Sequence, residues 1–206
     1  MLVIIDYGMG NLRSVYKAFK RIGAEVEISS SPETIAAADK LILPGVGYFK
    51  TGMQNLNERG LVQLLNQRVL IDKVPILGIC LGMQLFTSHS EEGDAEGLNW
   101  IHAQTLKFDF SGTQNSLLKV PHIGWNSIAW NKPHFLLENI NQNEHFYFVH
   151  SYYVKAKEQE NVLCSTDYGI TFHSALTKEN ITGVQFHPEK SHHMGMSLLK
   201  NFIEKS

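Results

Sequence analysis

The sequence predicts an α/β fold, in which helices cover both faces of an open, mostly parallel sheet and the C-terminal half adds antiparallel strands. Two observations support this prediction. Up to Cys80, short apolar runs alternate with stretches of helical periodicity, which is typical of parallel sheets. Beyond that point, short β-rich runs are separated by polar turns. Because we find no repeat, linker or low-complexity segment, we predict a single domain over residues 1–206.

The first half supplies the parallel strands. Apolar runs predict buried strands at residues 2–6, 26–28, 41–43 and 75–79. Asn11 is placed to cap a helix that begins at Leu12, and Ser31 followed by Pro32 opens another. Helical spacing then continues over residues 49–69. This order predicts that the strands beginning at residues 41 and 75 end at the same edge of one sheet.

The second half is predicted to extend or flank that sheet. Short strands are predicted at residues 146–149, 152–154, 162–164 and 171–175. One more strand, at residues 182–186, runs up to His187. A final helix is predicted over residues 194–203, with apolar residues on one face.

Composition narrows the class of protein. The chain has 206 residues, of which 43% are hydrophobic and 18% charged, and its net charge is -2, so no general basic field favours nucleic acid or an anionic membrane. The opening apolar run stops at Asp6 without a basic flank, so we expect a cytoplasmic protein with Cys80 and Cys164 as free thiols. No Cys-x-x-Cys or His-Glu-x-x-His pattern occurs, and we predict neither a metal site nor a cofactor.

The sequence Gly78-Ile79-Cys80-Leu81-Gly82 has the pattern of a nucleophile elbow, with cysteine in the nucleophile position. In such an elbow a strand turns sharply into a helix, and glycines are needed where neighbouring backbone crowds the turn. The thiol then lies at a helix N-terminus, which favours the thiolate, and the Leu81 N–H faces a developing oxyanion. A buried structural cysteine is the alternative interpretation, and it is the one we prefer for Cys164, which lies within an apolar strand.

His187 is the best candidate for the base that a cysteine nucleophile needs. It closes an apolar strand and is followed by Pro188 and Glu189. Proline favours an extended conformation in the preceding residue, and residues two apart in an extended segment point the same way. Glu189 is therefore predicted to orient the imidazole, which gives a Cys-His-Glu triad at the carboxyl edge of the sheet.

The turn Pro44-Gly45-Val46-Gly47 follows another predicted strand and reaches the same edge. Glycines on both sides of Val46 allow its peptide to rotate. The Val46 N–H could then supply a second oxyanion donor. A plain glycine turn is the alternative.

Taken together, these motifs resemble the class I (triad) glutamine amidotransferases. The residues that carry the resemblance are Gly78 to Gln84 and Gln185 to Ser191. Further motifs narrow it to the glutaminase subunits of imidazole glycerol phosphate synthases, in histidine biosynthesis; these are Asp6 to Asn11, the Pro44 to Gly47 turn, Pro121 to Asn126 and Tyr147 to Tyr152.

The resemblance implies that Cys80 attacks the side-chain amide of L-glutamine and forms a thioester. His187 would protonate the departing ammonia and then activate water, and Glu189 would orient His187. The oxyanion would be stabilised by Leu81 and, after a peptide flip, by Val46. The residues that would hold the rest of the glutamine are Gly47, Gln84, Ser151 and Tyr152.

The resemblance also implies a heterodimer with a (β/α)₈-barrel cyclase that receives the ammonia, with no nucleic acid or membrane partner. The matching interface positions are Asn11, Trp125, Tyr147 and Lys190, and His122 and Ile123 would lie near the ammonia path. The sequence alone gives a weaker argument for a partner, because one domain of 206 residues has room for little besides amide cleavage and we find no nucleotide motif in it. If ammonia is the useful product, its acceptor must lie on another chain. Trp125 and aromatics of residues 146–153 could anchor it, although Phe146 and Phe148 fit a core better.

Three alternatives remain open at this stage. The first is a paralogous glutaminase that supplies ammonia to a synthase for surface-sugar modification; Ile123, where the family often has methionine, and the bulky Tyr48 leave room for it. The second is a catalytically silent partner-binding subunit, against which the intact triad argues. The third is an unrelated cysteine hydrolase on a similar sheet.

Overall fold

A computed structural model of the protein describes residues 1–111, 118–130 and 132–206. Over these ranges, an eleven-stranded sheet forms the centre of the fold, and a separate two-stranded sheet lies beside it. Its strands lie side by side in the order 26–29, 2–5, 40–45, 76–80, 181–184, 171–178, 152–156, 103–107, 89–90 and 95–96, with 162–167 paired to 171–178. The predicted α/β architecture is therefore confirmed.

Five parallel strands form one half of the main sheet. They are β2 (Val26–Ser29), β1 (Leu2–Ile5), β3 (Lys40–Gly45), β4 (Ile76–Cys80) and β13 (Ile181–Val184). Gly45, at the end of β3, is paired with Cys80, at the end of β4. Since parallel strands end at one edge, the Pro44–Gly47 turn, Cys80 and the segment after β13 come together there.

The other half is mostly antiparallel. It contains β12 (Thr171–Lys178), β11 (Val162–Asp167), β10 (Tyr152–Ala156), β7 (Ala103–Lys107), β5 (His89–Ser90) and β6 (Ala95–Glu96). The small sheet pairs β8 (His122–Ser127) with β9 (His145–His150). The second half of the chain thus extends and flanks the sheet, as its short β-rich runs predict.

Two hydrophobic cores lie on opposite faces of the main sheet. In β1, Val3 and Ile5 enter one core while Leu2 and Ile4 enter the other, as the two-residue period of a strand requires. The helices of the first core are α2 (Pro32–Ala36), α3 (Phe49–Glu58), α4 (Leu61–Asn66) and α5 (Leu81–Leu85), and those of the second are α1 (Leu12–Arg21) and α6 (His192–Lys205). None of the helices within the described ranges combines the length and apolar character needed to cross a bilayer.

The structure corrects several predicted boundaries. The helix expected over residues 49–69 is divided, because Gly60 adopts a φ of 68° and ends α3 before α4 starts; a π-helical turn, Gln67–Ile71, follows. The strand expected to run to residue 186 ends at Val184. The final helix is longer than predicted and already begins at His192.

Candidate active site

Cys80 occupies a strained turn between β4 and α5. Its φ of 54° and ψ of -109° lie in a region that L residues with side chains rarely adopt. The flanking glycines are sterically required: a Cβ on Gly82 would lie 1.7 Å from the Leu43 carbonyl oxygen, and one on Gly78 would lie 2.6 Å from the Phe86 ring. Local packing therefore holds Cys80 in the geometry of a nucleophile elbow.

The thiol of Cys80 is buried but accessible from one side. Its exposed fraction is only 6%, yet it lines a cavity. Nε2 of Gln185 donates a hydrogen bond to Sγ at 3.6 Å, and the carbonyl oxygen of Val149 lies 4.0 Å from Sγ. Cys164, by contrast, is buried within β11, where desolvation raises the pKa of its thiol strongly, so it has the character of a structural cysteine.

His187 and Glu189 form a buried hydrogen-bonded pair. Nδ1 of His187 lies 2.8 Å from Oε1 of Glu189, and both side chains are only 2% exposed. The pair is close for a different reason from the one predicted, because Pro188–Lys190 forms a 3₁₀ turn rather than an extended segment. The backbone N–H of His187 donates to the Tyr147 carbonyl oxygen at 2.9 Å, which ties this turn to β9.

The charge environment of His187 favours the imidazolium. Burial opposes protonation, but the negative charge that Cys80 carries when ionised and the hydrogen bonds to Cys80 and Glu189 outweigh it and raise the pKa of His187 to about 10. Nδ1 of His187 is engaged by Glu189, whereas Nε2 meets no nitrogen or oxygen partner among the described residues, which leaves Cys80 as the ionisable group with which Nε2 interacts. The geometry supports a thiolate-imidazolium pair backed by a carboxylate.

A cavity of about 420 Å³ opens in front of the thiol. It brings together Cys80 with all of the residues predicted for the oxyanion hole and for glutamine binding, namely Val46, Leu81, Gly47, Gln84, Ser151 and Tyr152. His187 and Glu189 are buried and are not on its lining. The remaining lining residues are Glu92, Pro121, Val149, His150 and Lys190.

Gln84 is held by internal hydrogen bonds. Its Nε2 donates to the Tyr152 carbonyl oxygen at 3.1 Å and to Oε1 of Gln185 at 3.0 Å. Gln185 in turn donates to the Cys80 sulfur. Gln84 and Gln185 thus form a hydrogen-bonded chain to the Cys80 sulfur. Gln185 is a site residue that the sequence did not single out, although it begins the Gln185–Ser191 motif.

Glu92 is the second residue that the analysis missed. Its Oε2 accepts a hydrogen bond from the Phe49 N–H at 2.8 Å, and partial burial raises the pKa of its carboxyl group. It is the acidic member of the cavity lining and lies on the turn between β5 and β6. No local pattern distinguishes it from its neighbour Glu91, because only the fold shows which of the two faces the cavity.

A buried histidine pair lies beside the cavity. Nδ1 of His122 lies 3.0 Å from Nε2 of His150, and Nδ1 of His150 lies 2.7 Å from the Tyr152 carbonyl oxygen. Since a carbonyl can only accept, His150 carries its proton on Nδ1 and His122 donates to it. Burial lowers the pKa of His122 to about 4 and that of His150 to about 3, so both rings are neutral at pH 7.

Three of the four residues predicted for a partner interface cluster next to the cavity. Trp125 packs edge-on against Tyr147, with ring centroids 5.9 Å apart, and the Lys190 ammonium lies 5.6 Å from the Tyr147 ring centroid. Trp125 is 46% exposed and also stacks on His192. Asn11 is exposed and caps α1 by accepting a hydrogen bond from the Ser14 N–H. Phe146 and Phe148 are fully buried core residues.

Comparison with protein families and relatives gives a consistent result. The model of the family "Glutamine amidotransferase class-I" matches residues 3–206. The chain is 50% identical to "Imidazole glycerol phosphate synthase subunit HisH 2" of Methanococcus maripaludis over 100% of both chains. It is 47% identical to the protein of the same name from Pseudomonas aeruginosa over 99% of both, and 48% identical to "Imidazole glycerol phosphate synthase subunit HisH 1" of Campylobacter jejuni subsp. jejuni over 98% of both.

Solved structures share the fold at low sequence identity. A crystal structure of a glutamine amidotransferase superposes with a TM-score of 0.75 at 19% identity, covering 98% of this chain and 97% of that one. The glutaminase domain of Trypanosoma brucei CTPS with bound acivicin gives a TM-score of 0.68 at 16% identity, covering 100% of this chain and 94% of that one.

Proposed function

This chain belongs to the class I glutamine amidotransferase family and is a glutaminase subunit of imidazole glycerol phosphate synthase, in histidine biosynthesis, and we propose that Cys80, His187 and Glu189 carry out its chemistry. The observation that carries this proposal is the strained elbow of Cys80 together with the buried His187–Glu189 pair, whose imidazole interacts with Cys80. We also propose that residues 1–206 act as one domain, in the cytoplasm.

In the proposed reaction the Cys80 thiolate attacks the side-chain carboxamide carbon of L-glutamine. The C–N bond then breaks, and His187 gives its proton to the departing nitrogen, so that ammonia leaves and a γ-glutamyl thioester forms. The neutral His187 next takes a proton from water, whose oxygen attacks the thioester and releases glutamate and the thiolate. Glu189 stabilises the imidazolium and keeps Nε2 directed at the sulfur.

The oxyanion of both tetrahedral intermediates requires hydrogen-bond donors at the thiol. The Leu81 N–H, at the start of α5, is one proposed donor, and the Val46 N–H is the other. Both residues line the cavity beside Cys80. Gly47 follows Val46 in the turn and has a φ of 117°. As a glycine it carries no side chain that would restrict rotation of the Gly45–Val46 peptide.

The rest of the cavity suits a free amino acid. Its volume, about 420 Å³, lies in the range of small-molecule sites. Glu92 offers a carboxylate to the substrate α-ammonium, and backbone groups of Gly47, Ser151 and Tyr152 offer partners to the α-carboxylate and side-chain amide. Gln84 uses its Nε2 internally, so it would bind substrate through Oε1.

Replacing Glu92 by glutamine tests this substrate geometry. We expect KM for glutamine to rise about 10- to 100-fold, because a charged hydrogen bond worth roughly 1.5–3 kcal/mol is lost, while kcat changes much less. Glutamine retains an acceptor for the Phe49 N–H, so the fold is preserved. The matched control is Glu91→Gln, which alters an exposed carboxylate outside the cavity; an equal effect on KM in both variants would contradict the assignment.

The ammonia acceptor is proposed to lie on a (β/α)₈-barrel cyclase that docks on the face around the cavity. Its proposed contacts are Trp125, Tyr147 and Lys190, together with Asn11, since large aromatics and cations dominate many interfaces. Ile123, 60% exposed, and Val46, 40% exposed, add apolar surface to this face. Docking here would cover the mouth of the cavity, so ammonia would pass to the partner rather than to solvent.

The proposed function is tested by measuring glutamine hydrolysis by the isolated chain, and then with the barrel subunit and the cyclase substrate present. We expect a low rate for the isolated chain and an increase of at least about tenfold with partner and substrate, as for an induced active site. Asparagine and small esters serve as comparison substrates. Equal turnover of these substrates, or a rate indifferent to the partner, would contradict the proposal.

Complementation of a histidine auxotroph that lacks this subunit tests the pathway in the cell. Growth without added histidine is expected when this chain is supplied, and failure despite soluble expression would contradict the function.

A further inference from the structure

The hydroxyl of Tyr7 is a buried polar group without an evident role. The side chain is 0% exposed, and the oxygen has no hydrogen-bond partner within the described ranges. Burial raises the pKa of this phenol strongly, with the charge of Cys80 as a second cause, so the hydroxyl is protonated at physiological pH and has one hydrogen bond to donate.

Packing alone does not explain the hydroxyl. The Tyr7 ring belongs to the core that also contains Phe49 and Leu81. A phenylalanine would fill the same space without burying an unpaired donor, which carries a desolvation penalty. An unsatisfied group of this kind is expected to acquire a partner in some other state of the molecule.

The hydroxyl lies against the backbone of the turn that carries Val46. A Cβ on Gly45 would be 2.4 Å from the Tyr7 oxygen and 2.8 Å from the Leu81 Cβ. Gly45 is the last residue of β3, which is flanked by β1 on one side and by β4 on the other. The backbones of Tyr7, which follows β1, and Cys80, which ends β4, therefore lie on opposite sides of β3, while the Tyr7 hydroxyl and Leu81 both reach the face of Gly45 to which a side chain would point.

Rotation of one peptide connects these two sides. In a trans peptide the C=O of Gly45 and the N–H of Val46 point in opposite directions. When the Val46 N–H turns toward Cys80 and β4, the Gly45 carbonyl must turn toward β1, the strand that Tyr7 follows, and the Tyr7 hydroxyl already lies against Gly45. Gly45 has no side chain to obstruct this movement, and any side chain there would collide with the Tyr7 oxygen.

We propose that Tyr7 is a positioning residue for the oxyanion hole, whose hydroxyl donates to the Gly45 carbonyl only when the Gly45–Val46 peptide is rotated to present the Val46 N–H to the substrate. This inference rests on the proposed role of Val46 as an oxyanion donor. The hydroxyl would stabilise the rotated peptide over the resting one, and so favour the transition state without contacting glutamine.

The Tyr7→Phe variant tests the inference, assayed for glutamine hydrolysis in complex with the partner subunit. We expect kcat to fall about tenfold and KM to change less than about twofold, since one hydrogen bond that exists only in the rotated state is lost. The melting temperature is expected to equal or exceed that of the wild type, because the variant no longer buries an unpaired hydroxyl. The matched control, Tyr16→Phe on α1, is expected to leave kcat unchanged.

Two outcomes would overturn the inference. One is a kcat for Tyr7→Phe within about twofold of the wild type, and the other is a lower melting temperature, which would mean that the hydroxyl is already bonded in the resting protein. A Val46→Pro variant lacks the backbone N–H at position 46. It separates the role of Tyr7 from the proposed role of Val46 as an oxyanion donor. If Val46→Pro is inactive and Tyr7→Phe is not impaired, only the role of Tyr7 fails; if folded Val46→Pro is fully active, the oxyanion role fails with it.

Discussion

The Cys80→Ala variant is expected to hydrolyse glutamine at least about 10⁴-fold more slowly than the wild type, because no other group at the site can form the thioester. The thiol is the group that lines the cavity at the elbow, and Gln185 donates a hydrogen bond to it. Alanine can retain the elbow, since the flanking glycines and the contacts of Gly82 with β3 are unchanged. The measurement is glutamate release, with thermal unfolding to confirm that the variant is folded.

Two controls make this result specific. Cys164→Ala removes the other thiol, which is buried in β11, and is expected to leave glutamine turnover nearly unchanged. In complex with the partner, Cys80→Ala is expected to keep synthase activity when ammonium salts replace glutamine, because the variant loses only its ammonia supply. Substantial glutamine turnover by folded Cys80→Ala would exclude the thioester mechanism.

The second large effect is expected for His187→Asn, with a loss of about 10³- to 10⁴-fold in kcat. In the proposed mechanism this variant lacks both the counter-ion of the thiolate and the proton donor to the leaving nitrogen. Glu189 would remain buried with its carboxylate unpaired, so some loss of stability is also expected and is measured separately. His145→Asn, which changes an exposed histidine on β9, is the matched control.

The pH dependence of Cys80 alkylation gives an independent test of the ion pair. With the pKa of His187 raised to about 10, the imidazolium persists throughout neutral pH and is lost only as pH rises through that value. At pH 6 to 7 the wild type is therefore expected to be alkylated faster than His187→Asn, since a neighbouring imidazolium favours the thiolate. In His187→Asn the rate is expected to rise about tenfold per pH unit, as for an ordinary thiol below its pKa of about 8.5. Parallel profiles in the two proteins would contradict the pairing.

The elements that the sequence predicts well are those whose cause is local. β1, β3 and β4 are apolar runs of strand length, and Asn11 and Ser31 cap their helices as predicted. The prediction of one continuous helix over residues 49–69 was wrong. Hydrophobic periodicity continues across Gly60, whereas the backbone there turns to positive φ. Periodicity reports which residues face the core and does not report whether the chain between them is continuous.

The sequence by itself determined that a cysteine lies on a strand-to-helix turn, that His187 and Glu189 follow a second strand, and that the Gly45–Gly47 turn follows a third. These features depend on glycine, proline and the alternation of apolar residues, whose backbone preferences act over a few positions. Only the tertiary structure decided that Glu92 rather than Glu91 faces the cavity, that Gln185 reaches the sulfur, and that the Tyr7 hydroxyl lies unpaired against Gly45. Those facts depend on which strands are neighbours in the sheet, and contacts between residues far apart in the chain leave no periodic signal in it.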